Sequence, residues 1–268
     1  MAEIPERIKS MFITKEINKS GIYLMTFWIN GIETPVIVDD YFPCKNNQPC
    51  FSSSDTQEIW AMLLEKAWAK LYGTYARTEG GTPSFASVHL QGVPSWSITH
   101  ADLKTTDERE KFWYMIKSMD SRQFTMMASS LGQGENESAT GIISGHAYSL
   151  IGVYEFMHQG QNVRLCKLRN PWGSGEWKGD WSDNSAKWTP ALRERFGIKK
   201  ADDGEFSMPW DAFLSQYRAT SVCMEENSEK YKHSQLIHDF NNSKFAFFGF
   251  SLKNAIDLEV LCMAISVS

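Results

Sequence analysis

"SGHAYSLIGVYEF" at 144–156 is followed, across the polar turn "MHQGQN" at 157–162, by "VRLCKLRNPWGSGEWKGDWSD" at 163–183. Two apolar, β-branched and aromatic runs around a short polar turn predict an antiparallel hairpin. In such a ladder, facing residue numbers total about twice the number at the turn centre, here near Gln159 or Gly160. His146 and Asn170 therefore fall within a few residues of being opposite, and a bulge would absorb the difference. The pairing brings an imidazole and a carboxamide together at one end of a sheet. There the Asn170 oxygen can serve one ring nitrogen and leave the other facing a cleft, as the third member of a Cys-His-Asn arrangement does. A plainer account makes His146 a satisfied strand-end histidine and Asn170 a turn former before Pro171. On spacing alone the plainer account is the stronger.

Outward from this hairpin the elements are mixed. "GIYLMTFWINGIETPVIVDDYFP" predicts two strands joined at Asn30-Gly31, a strong hairpin signal. "DTQEIWAMLLEKAWAKLYG" predicts a helix opened by Asp55, with Glu58 completing a capping box and Gly73 ending it. Its Trp60, Leu63, Leu64, Ala67 and Leu71 share one face, which is core. "TEGGTPSFASVHLQGVPSW" is rich in Gly, Pro and Ser and reads as a long connector between two subdomains. A helix "TTDEREKFWYMIKSMD", a strand "QFTMMASS" and a polar loop "GQGENESATG" precede the opening hairpin. After it come a helical turn in "TPALRERFG" and a strand plus short helix in "DDGEFSMPWDAFLSQY". Two further strands, "KFAFFGFSL" and "IDLEVLCMAISVS", are expected near the end, the last an unpartnered edge that suggests the fold continues past Ser268. The order is α+β.

Bulk properties exclude several classes. The 268 residues are 42% hydrophobic and 22% charged, ordinary for a folded chain. A net charge of −5 without a Lys/Arg stripe argues against nucleic-acid binding. The start "AEIPERIKS" lacks the apolar core of a secretory signal, and no apolar run approaches membrane-spanning length. Five cysteines without Cys-x-x-Cys spacing read as free thiols in a reducing, cytoplasmic setting.

"SGHAYSLIGV", "LRNPWGSGEWKGDWSD" and "DDGEFSMPWDAFLSQY", in this order, resemble the second protease subdomain of the calpains, papain-like cysteine proteases controlled by calcium. "FWINGIETPVIVDDYFP" and "EIWAMLLEKAWAKLYGTYARTEGGTP" resemble the later part of the first calpain subdomain. The resemblance implies a papain-like α+β core of two subdomains. Residues 1–92 would be the remainder of the first, partly helical one, and 93–225 the second, antiparallel β one. Residues 226–268 would be a linker and the opening strands of a β-sandwich, with further domains of a longer chain to follow. His146 would be the general base that keeps a thiol as thiolate. Asn170 would orient it, and Trp172 would shield their hydrogen bond from water. Gly145 would let an extended substrate backbone approach, with Gly92 bordering the cleft from the other side.

In that family the nucleophilic cysteine precedes a Trp at the start of a long helix ahead of the first hairpin, and the oxyanion-hole glutamine lies upstream too. No cysteine lies ahead of Asn30-Gly31 here. Cys44 and Cys50 have no Trp after them, Cys166 is mid-strand, and Cys223 and Cys262 lie beyond the pair. The expectation is a base and an orienter without a nucleophile, inactive alone, either truncated or a natural pseudoprotease that binds calcium or peptide. A carbohydrate-binding module would suit the ten Trp but leaves the order of motifs unexplained.

Glu176, Asp183, Asp203 and Glu205 lack EF-hand spacing, and "DDGEF" alone reads as a solvated turn. The resemblance makes these four residues, with the Ala201 carbonyl, the Ca2+ ligands of the second subdomain. It makes Glu58 a ligand of a Ca2+ site in the first. Protein or peptide substrates are the partners it implies.

Overall fold

The computed structural model of the protein describes residues 4–54 and 58–224. The expected cap at Asp55, Cys262 and the two late strands lie outside the described residues.

Two bodies of apolar side chains organise the chain. The first is built on the hairpin of β1 (Ile22–Ile29) and β2 (Ile32–Asp39), whose register closes with Ile29 facing Ile32. Asn30 and Gly31 both take positive φ, 50° and 75°, which is why that dipeptide can make the two-residue turn. Tyr23, Met25, Phe27, Val36 and Val38 project from one face of this ribbon onto Leu63 and Ala67 of α2 (Trp60–Tyr72). Trp60, Leu64 and Leu71 pack against the same cluster, as their helical spacing predicts.

Three expectations are corrected here. Helix α2 starts at Trp60 with Ile59 as an N-cap that makes no side-chain bond, so Glu58 precedes the helix and closes no capping box. Its carboxylate instead accepts from the Trp60 indole N–H at 3.3 Å. The connector rich in Gly, Pro and Ser contains a helix, α3 (Pro83–Gln91), lying between a short α1 (Pro5–Met11) and the second body. Pro83 sits in its first turn and Gly92 caps it at φ +69°, so two residues taken as loop formers are its start and stop. The third correction is two strands the sequence did not announce, β5 (Ser95–Thr99) and β10 (Tyr217–Cys223). A small hairpin pairs β3 (Cys44–Lys45) with β4 (Gln48–Pro49).

The second body is a six-stranded antiparallel sheet in the order β5-β10-β6-β7-β8-β9. Its remaining strands are β6 (Thr125–Ser130), β7 (Ala147–His158), β8 (Gln161–Arg169) and β9 (Glu205–Pro209). Helix α4 (Thr106–Ser121) begins at a capping box of Thr105 with Glu108 and lays Phe112, Trp113 and Ile116 on one face of the sheet. Each such fully buried aromatic or aliphatic side chain contributes about 2–3 kcal/mol of transfer free energy. On the same side α6 (Trp210–Gln216) adds Trp210 and Phe213. The other face is covered by Trp181, Trp188 and Ile198, from the Trp-rich segment and just past α5 (Pro190–Phe196). β7 therefore sends Val153 to one cluster and Phe156 to the other. Among the described residues, no helix is long and apolar enough to cross a membrane.

Candidate active site

β7 and β8 meet at a two-residue turn with His158 facing Gln161, and hold one register as far as Gly152 facing Lys167. Between Gly152 and Leu150 the register shifts, and the last pairs are Leu150 with Leu168 and Ser149 with Arg169. A bulge is therefore present, with Ile151 as the extra residue, and it takes up one position of the offset; His146 and Asn170 meet beyond the last paired residues. Just past the ladder, His146 Nε2 and Asn170 Oδ1 are 3.0 Å apart. His146 is 8% exposed and Asn170 fully buried.

The carboxamide has one consistent orientation. Asn170 Oδ1 also accepts from the Trp172 N–H at 3.1 Å, and Nδ2 donates to Ser174 O at 2.7 Å and Gly175 O at 3.3 Å. A backbone N–H only donates and a carbonyl only accepts, so Oδ1 must face His146, and Nε2 must carry the hydrogen. In the neutral ring the other nitrogen, Nδ1, is then a bare acceptor, the form a general base takes. The Asn170 N–H itself is held by Gly204 O at 2.8 Å. Gly204 has φ +82°, and a Cβ there would lie 2.8 Å from Asn170 O.

His146 is fixed by its backbone as well. Ser130, at the end of β6 and 1% exposed, accepts from the His146 N–H at 2.8 Å and donates to Ile143 O at 2.6 Å. Sequence reasoning missed this residue, since a serine ending the strand "TMMASS" carries no spacing signal. It also missed Glu135, whose Oε1 is 3.1 Å from His146 Nδ1.

The other expected cleft residues lie as follows. The Trp172 ring is half-exposed, its centroid 4.6 Å from that of His146. Gly145 is exposed at φ +61° immediately before His146. Gly92 caps α3 beneath Trp28, whose indole a Cβ would meet at 2.3 Å. Cys44 and Cys50 are exposed, at and beside the β3–β4 hairpin, while Cys166 and Cys223 are buried in β8 and β10; none of these four is in a disulfide. Burial pushes the Cys166 thiol well above its ordinary value, which makes it inert as a nucleophile.

The acidic set gathers at the neighbouring edge, between the Trp-rich loop and β9. Glu176 Oε1 accepts from the Asp203 and Gly204 N–H groups at 2.9 and 2.8 Å. Burial, with repulsion from Asp183 and Asp202, raises Glu176 to about 7 despite those two bonds. Burial and repulsion from Asp203 raise Asp183 to about 6, and the Ala201 backbone offers that carboxyl a hydrogen bond. Glu205 is paired with Lys167 at 3.0 Å and Arg169 at 3.4 Å. A small cavity is lined by Asp183, Asp203, Glu205 and Lys167. Among the described residues, no three acids, histidines or cysteines are already arranged as a metal cage. The donor chemistry nonetheless suits a hard cation: carboxylates from two loops, of which Glu176 and Asp183 are partly desolvated and repel their acidic neighbours. Glu58, on the first body, is not part of this group.

The sequence matches the calpain family cysteine protease model over residues 1–224. The chain belongs to the calpain family of cysteine proteases. It is 35% identical over 227 residues to the calpain-type cysteine protease DEK1 of Arabidopsis thaliana, covering 81% of this chain and 10% of that protein. It is 36% identical over 231 residues to calpain-8 of Rattus norvegicus, covering 83% of this chain and 32% of that one. With calpain clp-4 of Caenorhabditis elegans the identity is 33% over 77% of this chain and 29% of the relative. The chain thus spans a tenth to a third of the length of these relatives.

Proposed function

We propose that this chain carries the base-and-orienter half of a calcium-dependent cysteine endopeptidase that makes limited cuts in proteins, acting in the cytoplasm on an extended substrate. The carrying observation is the buried His146–Asn170 pair with its unambiguous amide orientation. His146 Nδ1 takes the proton of a cysteine thiol supplied from outside the residues described here, and returns it to the leaving amine. Asn170 holds the ring through Nε2 and favours the imidazolium that results. Trp172 covers this bond from the solvent side. Gly145 offers the substrate backbone a surface without a side chain. Glu176, Asp183, Asp203 and Glu205, with the Ala201 carbonyl, would hold Ca2+, which supplies positive charge between two loops that now repel. Residues 1–92 and 93–225 serve as the two walls of the cleft.

The experiment is to join a calpain helix bearing Gly-x-Cys-Trp, with its upstream glutamine, ahead of residue 1 and to follow cleavage of a fluorescent protein substrate. Calcium-dependent cleavage that disappears in His146→Ala supports the proposal. A folded chimera without cleavage overturns it in favour of a second reading, a non-cleaving module that binds calcium or peptide. One observation favours that alternative: the ring nitrogen a thiolate would use already has a carboxylate partner, Glu135.

A further inference from the structure

The start of β8 carries a stretch of open strand edge. β8 pairs with β7 along its whole length from Gln161 to Arg169, but β9 covers only Leu165 to Arg169. Pro209 is the last residue of β9, faces Leu165, and is the N-cap from which α6 leaves the ladder. Proline has no N–H, so Leu165 and Pro209 cannot exchange hydrogen bonds and form a non-bonded pair. By alternation, Leu165 and Val163 turn their backbone groups to β7, while Arg164 and Asn162 turn theirs to the β9 side. The same alternation makes His158 and Gln161, which close the two-residue turn, a hydrogen-bonded pair. Among the described residues, no strand lies against Asn162 on the β9 side.

This edge faces a cleft of about 660 Å3 whose walls come from both faces of the sheet. Helix α4 crosses the strands. Asp120 accepts from the Val153 N–H and Lys117 pairs with Glu155, both on β7, while Glu110 takes both terminal nitrogens of Arg164 on β8. The first turns of α4, with Arg109, therefore overhang the space beside β8. On the other face Trp181 forms the wall, and Val163 packs on the cluster that contains it. Most charges of the lining are already matched: Glu110 by Arg164, and Asp180 by Lys187 at 2.5 Å. Arg109 is exposed and its Nε donates to Leu103 O at 3.2 Å; among the described residues its guanidinium meets no carboxylate. Asp211, at the α6 end of the cleft, is likewise exposed and without an ion pair among the described residues.

We propose that this cleft docks an extended segment of a partner protein, which adds to β8 as a short antiparallel strand at Asn162–Arg164. The segment's backbone exchanges hydrogen bonds with Asn162 and Arg164. Its middle residue, opposite Val163, turns its side chain to Trp181, and the residues on either side of it face α4 and Arg109. The sequence that fits is an apolar residue between two acidic ones, with a basic residue ahead of them beside Asp211. The described chain leaves the sheet at its other edge, where the Met224 N–H donates to Pro94 O beside β5, so a second protein is the occupant proposed for the β8 edge. Asn162 stands eight residues before Asn170, roughly 26 Å at the rise of a β-strand, so the cleft is separate from the His146 pair and does not depend on its chemistry.

The test uses the full chain, with the acetylated and amidated peptide Lys-Glu-Val-Glu-Thr as the probe. At millimolar concentration the peptide should shift the Asn162 and Arg164 amide signals in nitrogen–proton NMR spectra and slow their hydrogen exchange severalfold. The Val163 and Leu165 amides, already bonded to β7, should keep their exchange rates. Methylating the backbone nitrogen of the second glutamate, which faces Asn162, should abolish the effect. Asn162→Pro removes a donor that the β7 ladder does not use, so it should weaken binding severalfold while the chain still unfolds cooperatively. Arg109→Glu changes an exposed side chain outside every ladder and should weaken binding likewise, whatever proline does to the hairpin. No response at either amide, or binding that survives both substitutions, overturns the proposal. Slow exchange of both amides before peptide is added would assign the edge to the chain's own residues, or to a second copy if it sets in with rising protein concentration; either result overturns the partner.

Discussion

His146 Nε2 and Asn170 Oδ1 lie 3.0 Å apart just past the end of the β7–β8 ladder, where the extra residue Ile151 has already shifted the register by one position. The pair is buried, and each Asn170 polar atom has a backbone partner as well as the ring. The orientation of the imidazole is therefore built into the end of the sheet, not left to side-chain preference.

Asn170→Ala removes the acceptor of two N–H groups and the donor to Ser174 O in a site without water access. Stranding buried polar groups costs about 1–3 kcal/mol, so the urea midpoint should fall accordingly. A loss below about 0.5 kcal/mol would mean the site relaxes and the pair is not structurally locked.

The two bodies are joined by a buried arginine. Arg7 of α1 donates Nη1 to Thr125 Oγ1 at 3.0 Å and Nη2 to Gln123 O at 2.6 Å, at the start of β6. Arg7→Met keeps the apolar stem and removes the donor to Gln123 O, while Thr125 Oγ1 keeps only its 3.4 Å contact from Gln91 Nε2. It should cost about 1–3 kcal/mol and separate the unfolding of the two bodies, giving probes in β1 and β7 different midpoints. A single coincident transition at the parent midpoint would show that the latch contributes nothing.

The acidic group makes stability fall as pH rises. Burial raises Glu176 from 4.5 to about 7 and Asp183 from 3.8 to about 6 in the folded chain. A carboxyl with a raised folded-state pKa binds its proton more tightly folded than unfolded. Its penalty is absent below the unfolded value and grows through the window up to the folded one. Between pH 4.5 and about 7 this pair should therefore lower the unfolding free energy, and Glu176→Gln with Asp183→Asn should flatten that slope. Ca2+ should raise the melting temperature at neutral pH and far less at the acid end. Asp203→Ala with Glu205→Ala should abolish the calcium effect; no effect at millimolar calcium would refute the site.

Gly141 has φ +88° and the Glu176 carbonyl where a side chain would go. Gly141→Ala should cost more than about 2 kcal/mol, or force the loop off the Trp-rich segment. Parent-like stability in thermal unfolding would refute the tight seating of Gly141 on the Glu176 carbonyl.

The sequence alone determined the features whose partners are close along the chain. The Asn30-Gly31 turn, the apolar face of α2 and the His146–Asn170 approach all follow from backbone periodicity over a few residues. The family motifs around His146 and Asn170 were legible for the same reason, since they are contiguous strings. Tertiary structure decided the rest. β10 carries Thr220 and Ser221 at buried positions, where His100 Nε2 and Ser97 Oγ, over a hundred residues away, provide their hydrogen bonds at 2.8 and 2.7 Å. A polar strand of that kind has no alternation to read. α3 was hidden because Pro and Gly mark helix ends as well as loops, and only packing between β1 and the sheet distinguishes them. Glu135 reached His146, and Arg7 reached Thr125, through contacts that no local pattern encodes. Local spacing placed the base beside its orienter; the fold decided what covers them.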